Sequence, residues 1–382
     1  MSRPVVLFVI DTLNMGGAER SLLDMLPRFK RYKPVVCQVY QGDELKQAFI
    51  NAGVEVQSLQ LPKGYHFRKG IAGVHRLLKE VKPSIIHSSL FKSDIISRYV
   101  SKGLNIPLIS SLVNNSYHES RFMQAGLMMK AKLRIVQLAD AYTARYVSQF
   151  ISNSEAIRQS NATALGIPLS KIKVIYRGRD ARAYGVSSPS EKENVKEKLG
   201  LQGKKLILNV SRLLERKGQL DLVKAMPAVL NKFPEAVLLI AGEGPFRARL
   251  EEEVQHLQLQ DHVRLLGTRK DIPQWLSIAD CFAFPSYYEG LPGALIEAMM
   301  TGLPIVASSI PENQECVTQE SAMLFSPGDV AQMAKAINHI MEDADHAQRL
   351  AKEARAVAQT KFELDAVVQQ YEDTYDAFMQ RK

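Results

Sequence analysis

Short apolar runs alternate with helical patterns twice along this chain, and that alternation limits the possible folds more than any other feature. "PVVLFVI" (4–10), "KPVVCQVY" (33–40), "VEVQSLQL" (54–61), "PSIIHSS" (83–89) and "PLISSLV" (107–113) read as strands. "GGAERSLLDMLPRFK" (16–30) and "IAGVHRLLKEV" (71–81) read as helices among them, and "FISNS" as a strand end leading into a helix cap. A polar, serine-rich stretch, "DARAYGVSSPSEKENVKEKLG" (180–200), reads as a linker. The alternation then restarts with strands at "KLILNVS" (205–211), "AVLLIAG" (236–242), "VRLLG" (263–267), "CFAFPS" (281–286) and "PIVAS" (304–308). Helices are expected from Gly218 and over 246–257, 272–279 and 293–301, and the tail ends in the amphipathic "LDAVVQQYEDTYDAFM" (364–379). Apolar strands spaced by helices predict parallel, doubly wound sheets covered on both faces. The expected organisation is α/β: two tandem Rossmann-like domains over 1–183 and 184–362, followed by a helix over 363–382.

With 382 residues, 46% of them hydrophobic, the chain can fill two cores. Cys37, Cys281 and Cys316 are too scattered for a disulfide framework, which points to a reducing cytoplasm. The apolar run ending at Ile10 is short for a signal peptide and reads as a buried first strand. No window approaches the roughly 18 apolar residues of a membrane span. Charge divides the chain. Residues 1–190 hold 27 Lys+Arg against 12 Asp+Glu, and residues 191–382 hold 22 against 28, so a half of +15 precedes one of −6. A basic half attracts anionic surfaces or phosphorylated acceptors. The basic stretches lack the interleaved aromatics of a nucleic-acid binder, so no nucleic-acid partner is expected.

In doubly wound sheets ligands sit beyond the carboxyl ends of the strands, so the strand-to-helix corners carry the function. "PSYYEGLPGALIEAMMTGLPIVAS" (285–308) places Glu289 and Glu297 around a corner containing Gly290, Pro292 and Gly293. Pro292 near the first helical turn loses no hydrogen bond, the helix start favours an anion, and the glycines allow close approach. Carboxylates accept from hydroxyls, so a ligand carrying both a diphosphate and sugar hydroxyls suits the whole corner. "NVSRLLERKGQ" (209–219) brings Arg212 and Lys217 to a second corner, and "NMGGAERSL" (14–22) brings Gly16 and Gly17 to the first corner of the other domain. Each reading has an ordinary alternative: a helical Glu at the surface, solvated cations, or a plain Gly-Gly turn.

Taken together these motifs resemble the retaining GT-B glycosyltransferases known as family 4, or group 1. The E-x7-E motif stands as Glu289 and Glu297, the S-R-x4-K-G pattern as "SRLLERKG" (211–218), and "AGEGP" as Ala241 to Pro245. "GGAER" at 16–20 and the Gly267 to Asp271 loop complete the likeness. The resemblance implies two Rossmann-like domains with a cleft between them and a C-terminal helix crossing back. It implies Arg212 and Lys217 on the donor diphosphate, Glu289 on the donor sugar and Glu297 on the ribose. Gly290, Leu291, Pro292, Gly293, Ala294 and Leu295 would line the pocket. Gly16 and Gly17 would close over the phosphates, and Gly242, Glu243, Gly244, Thr268 and Arg269 would lie near the base or ribose. It further implies no metal and no cofactor, and the sequence has neither a D-x-D strand-end loop nor a His/Cys cluster. The position where many relatives carry a histidine falls on Val113 or Asn114. Tyr117 and His118 follow it, and His87 is a further acceptor-side candidate.

The implied activity is transfer of a hexosyl-type sugar from a UDP- or GDP-sugar to a glycan or lipid-linked acceptor, in polysaccharide or lipopolysaccharide synthesis. The alternatives are a nucleotide-sugar 2-epimerase of the same fold and a non-catalytic nucleotide-sugar or polysaccharide binder. "HFRKG" (66–70) and "RFMQAGLMMKAKLRIVQLAD" (121–140) combine cations with apolar residues. The second reads either as an amphipathic helix on an anionic membrane or as a core helix with Lys130 and Arg134 facing solvent. The expected location is cytoplasmic, with peripheral contact at the inner face of the membrane.

Overall fold

The computed structural model describes residues 3–117, 122, 126–185 and 187–380. The chain forms two compact units: Met1–Gly178 with Leu364–Lys382, and Arg179–Glu363.

The first unit holds seven parallel strands: β1 (Val5–Ile10), β2 (Lys33–Tyr40), β3 (Glu55–Leu61), β4 (Ile85–Ser89), β5 (Leu108–Leu112), β6 (Gln149–Ser152) and β7 (Ile172–Val174). Their order is β3-β2-β1-β4-β5-β6-β7. The central strands β4 and β5 are buried at every residue, as a parallel sheet covered on both faces requires. The order reverses between β1 and β4, which pair directly. The Leu364–Met379 helix belongs to this unit. Its Val367, Val368 and Tyr375 pack with Phe8, Phe29 and Tyr32, and its Glu372 accepts from the backbone N–H groups of Lys30 (2.9 Å) and Arg31 (2.6 Å). The Leu127–Ala144 helix has only Thr143 and Ala144 buried, so it is not the core helix that was one of the two readings.

The second unit holds six parallel strands: β8 (Lys205–Val210), β9 (Ala236–Ala241), β10 (Val263–Gly267), β11 (Cys281–Phe284), β12 (Ile305–Ser308) and β13 (Met323–Phe325). Their order is β10-β9-β8-β11-β12-β13, the Rossmann arrangement, with its reversal between β8 and β11. The expected linker over 180–200 is corrected in part, because Pro189–Lys198 is a helix. Ser188 caps it reciprocally with Glu191, and Pro189 occupies the first turn. The polar composition that suggested a linker belongs to a solvated helix with a strong start signal. Cys37, Cys281 and Cys316 are all buried and unpaired.

Candidate functional site

Two corners of the second unit flank the reversal between β8 and β11, and the chain sends Lys217 to one and Glu289 to the other. After β8 the backbone runs through Ser211 to a short 3-10 turn over Glu215–Lys217 and enters the Gln219–Leu230 helix at Gly218. Gly218 has φ +69°, and a Cβ there would stand 2.1 Å from the carbonyl oxygen of Pro285, so only glycine lets this corner lie against the end of β11. Tyr287 N–H donates to the Arg216 carbonyl (2.9 Å) and joins the two corners through main chain. Gln219, fully buried, donates to Ser211 Oγ (2.7 Å) and to the Arg212 carbonyl (3.0 Å). Arg212 therefore has a fixed backbone and an exposed guanidinium.

Across the reversal, Glu289 is buried and accepts from Lys217 Nζ and from Ser286 Oγ (2.7 Å), with Arg216 Nη1 3.7 Å away. Burial by itself raises its carboxyl pKa. Lys217, Ser286 and Arg216 outweigh that effect and hold it below the usual carboxylate range. Beside it the Gly293–Thr301 helix starts at Pro292 with no side-chain cap and no acidic residue in its first turn. Such a start carries partial positive charge and suits an anion. Leu291 and Leu295 are buried, so they offer a ligand only their main chain. Glu297, inside that helix, accepts from Arg179 Nε at 2.7 Å, and both side chains are largely buried.

A further layer supports the corner. Glu312 is buried close to Glu289, and burial, with the Glu289 charge, raises its own pKa. Ser308 Oγ donates to the Ser286 carbonyl (2.5 Å), and Asn313 Nδ2 donates to the Ser308 carbonyl (2.9 Å). Sequence reasoning passed over Arg179, Arg216, Gln219 and Glu312. Glu312, next to a proline just after β12, stood at a strand-to-helix corner and was the most recognisable of the four.

The corner after β9 is laid on the corner after β8. Cβ atoms at Gly242 and Gly244 would stand 2.0 and 2.2 Å from the carbonyl oxygens of Ser211 and Leu213. Gly242 N–H also donates to the Gly267 carbonyl (2.8 Å), which aligns the loop after β10. Glu243 is exposed and pairs with Arg247 (2.6 Å). Thr268 and Arg269 are exposed, and Arg269 pairs with Asp271 (2.5 Å). The second unit thus brings Arg212, Lys217, Glu289, Glu297 and the Gly242–Gly244 turn to the carboxyl edge of one sheet.

In the first unit Gly16 caps the Gly17–Met25 helix with extended backbone. A Cβ at Gly17 would lie 3.5 Å from the Arg177 guanidinium, a cation that sequence reasoning also missed. The helix start after β4 is already filled by the protein. Asp11 accepts from Ser93 N–H (2.8 Å) and Ser93 Oγ (2.6 Å). The acceptor-side candidates separate. His87, an acceptor-side candidate, is enclosed within the first unit. It is 1% exposed, with Nδ1 against Tyr375 OH and Nε2 against Ser111 Oγ, both at 2.7 Å, and burial pushes its pKa down to about 3. Tyr117 donates to Asp140 (2.7 Å) and Asn114 is exposed. His118 lies outside the described residues. The expectation of no His cluster is corrected too: His339, Asp343 and His346 place ligand-type atoms within 4.8 Å of one another. None of the three belongs to the corners above.

Residues 191–357 match the family model described as Glycosyl transferases group 1, and residues 15–183 match Glycosyltransferase Family 4. The chain is 28% identical over 281 residues to the UDP-Gal:alpha-D-GlcNAc-diphosphoundecaprenol alpha-1,3-galactosyltransferase of Escherichia coli, covering 72% of this chain and 70% of that one. It is 28% identical over 265 residues to the lipopolysaccharide core biosynthesis mannosyltransferase LpsB of Rhizobium meliloti, covering 66% and 74%. Anabaena HepE, solved in complex with UDP-glucose, superposes with a TM-score of 0.84 at 25% identity, covering 98% of this chain and 99% of that one.

Proposed function

This chain belongs to the group 1, family 4 glycosyltransferases, which share the GT-B plan of two Rossmann-like domains, and on that footing we propose that it moves a hexosyl-type sugar from a UDP- or GDP-sugar to a glycan or lipid-linked acceptor with retention at the anomeric carbon. One observation carries the reading: Lys217 and Glu289, from the two strands flanking the order reversal, meet beside a helix start that no side chain caps. An ammonium has three donors, so a lysine that holds a carboxylate can exchange a donor to a phosphate oxygen when one arrives. Arg212, exposed on the same corner, adds a guanidinium fork.

In the reaction the bond from the anomeric carbon to the diphosphate oxygen breaks, and the acceptor oxygen bonds that carbon. The acceptor's proton goes to the departing diphosphate. Arg212, Lys217 and the helix start at Gly293 stabilise the negative charge that develops on the leaving group. Glu289, ionised at neutral pH, accepts from sugar hydroxyls and does not act as the proton donor. Glu297, oriented by Arg179, accepts from the ribose diol. In this reading the two cations take the role a metal has elsewhere, so turnover persists in EDTA. HepE, solved with UDP-glucose, and the E. coli relative, named for UDP-Gal, favour a uridine donor.

The acceptor is proposed to be met at the cytoplasmic face of a membrane. The exposed Leu127–Ala144 helix supports this, and no described helix is long and apolar enough to cross a bilayer. The test of function is a thermal-shift panel of UDP, GDP, ADP and CDP, followed by release of the selected diphosphate from its sugar conjugates. A ligand at 100 times its Kd stabilises by about 2.7 kcal/mol. A folded protein that none of the four stabilises refutes the reading.

A further inference from the structure

The other edge of the second unit's sheet carries a groove of about 910 Å³, within the size range of small-molecule sites. It opens at the amino ends of β8, β11 and β12, where Lys205, Asp280 and Pro304 lie. The carboxyl-edge corner is a strand length away, roughly 13–20 Å for strands of four to six residues. One wall comes from the Pro189–Lys198 helix and the residues leading into β8, the other from the Ala344–Lys361 helix.

The groove's cations fall into two classes. Lys196 is buried and internally satisfied, bonded to Asp280 (2.9 Å) and the Lys204 carbonyl (3.0 Å), and Lys205 donates to the Met341 carbonyl (2.9 Å). Lys192, which makes only a long bond to the Ala279 carbonyl (3.4 Å), and Lys204, Arg349, Lys352 and Arg355 have no carboxylate within ion-pair distance among the described residues. Some cations elsewhere in this unit do find carboxylates, Arg247 with Glu243 and Glu251, Arg249 with Glu252 and Lys232 with Glu342, whereas the five here line a single groove. The concentration of unpaired cations is all the more notable in a half of the chain that is net acidic. Burial, with Lys196 nearby, lowers the Lys192 pKa against the pull of Asp280, so the groove resists further positive charge. Arg349, Lys352 and Arg355 recur every three residues along one helix, which sets two guanidinium forks beside an ammonium, a geometry suited to phosphate oxygens.

We infer that this groove is a second anion site, separate from the Lys217–Glu289 corner, and that it takes a small molecule or headgroup bearing two or more phosphate charges.

The test is calorimetric titration of inorganic tripolyphosphate into the full chain at low salt, with Arg349→Ala/Lys352→Ala/Arg355→Ala as the comparison. The wild type is expected to show one more binding event per chain than the triple variant, weakening as salt rises. In a folded Lys217→Ala chain that event remains, and adding the three substitutions weakens it at least tenfold. Equal stoichiometry and affinity in wild type and triple variant would overturn the inference. So would loss of the event in a Lys217→Ala chain with a native circular dichroism spectrum. Vesicles containing phosphatidic acid separate the sources. Flotation that falls in the triple variant assigns the phosphate to a lipid headgroup, and unchanged flotation alongside lost tripolyphosphate binding assigns it to a free ligand.

Discussion

Glu289 is a buried carboxylate whose charge is held chiefly by the Lys217 ammonium, with Ser286 and Arg216 beside it, and its stability and chemistry can be tested apart. Lys217→Ala leaves that charge without its main partner and is expected to destabilise the fold by about 3–5 kcal/mol. It should also cut turnover by at least about 100-fold through lost leaving-group stabilisation. Urea unfolding and nucleotide release measure the two effects. The apolar pair Lys217→Met/Glu289→Leu should recover most of the stability and none of the turnover. A recovered rate would place the chemistry elsewhere. His87 gives a second residue-level test with a defined pH window. Its folded pKa of about 3 lies below the unfolded value of about 6.5. The folded state therefore binds fewer protons, and stability is lost as pH falls from about 6.5 toward 3. The loss attributable to His87 at pH 5 is about 2 kcal/mol. Urea midpoints at pH 7.5 and pH 5 should fall less in His87→Gln than in wild type, while turnover per folded molecule stays near wild type. A large loss of turnover in folded His87→Gln would return this histidine to the catalytic candidates.

Between residue and fold stand the corners, which glycines hold against one another. At Gly218 a methyl group would meet the Pro285 carbonyl, and the left-handed backbone adds about 1–2 kcal/mol for any other residue. Gly218→Ala is thus expected to lose donor binding by separating Lys217 from Glu289, seen as an absent thermal shift with the preferred diphosphate. Arg179→Ala should act more locally, raising the KM for the donor more than it lowers kcat, because Glu297 loses its orienting partner and not its charge. These corners also mark what was legible in the sequence. Most strands, the two sheets, and Lys217 and Glu289 as corner residues followed from apolar runs and local turn chemistry, while β7 and β13, three residues each, were too short to read. What escaped depends on pairings distant in sequence. Arg179 meets Glu297 across 118 residues, and His87 is covered by Tyr375 from 288 residues away. No local pattern reports such burial, so a histidine at a strand end looked available when it was enclosed. The helix over Pro189–Lys198 was hidden for a different reason: its face is almost wholly solvated, and only Ser188 and Glu191 announced it.

At the scale of the whole molecule, charge and apolar exposure concentrate on the same half of the sequence. That half carries +15, and its Leu127–Ala144 helix leaves Leu127 at 87%, Met128 at 88%, Ile135 at 68% and Leu138 at 62% exposure. Met128, Ile135, Leu138 and Tyr142 follow one another at steps of seven, three and four, which sets them on a single stripe, and Lys130, Lys132 and Arg134 are exposed on the same helix. Water is a poor solvent for such a stripe, whereas the boundary of an anionic bilayer satisfies both its apolar and its cationic residues. Each basic residue near the surface contributes about 1 kcal/mol, screened within a Debye length, and the apolar stripe adds a part that salt does not remove. Sedimentation with phosphatidylglycerol vesicles is therefore expected at low salt and only partly reversed at high salt. Ile135→Asp/Leu138→Asp should abolish the salt-resistant part while leaving sugar transfer to a soluble acceptor, read as release of the nucleoside diphosphate, unchanged. Both positions are exposed, so the variant should fold as the parent does. If it still sediments at high salt, the apolar stripe is not the contact; if the parent chain does not sediment even at low salt, the acceptor meets this enzyme away from the bilayer.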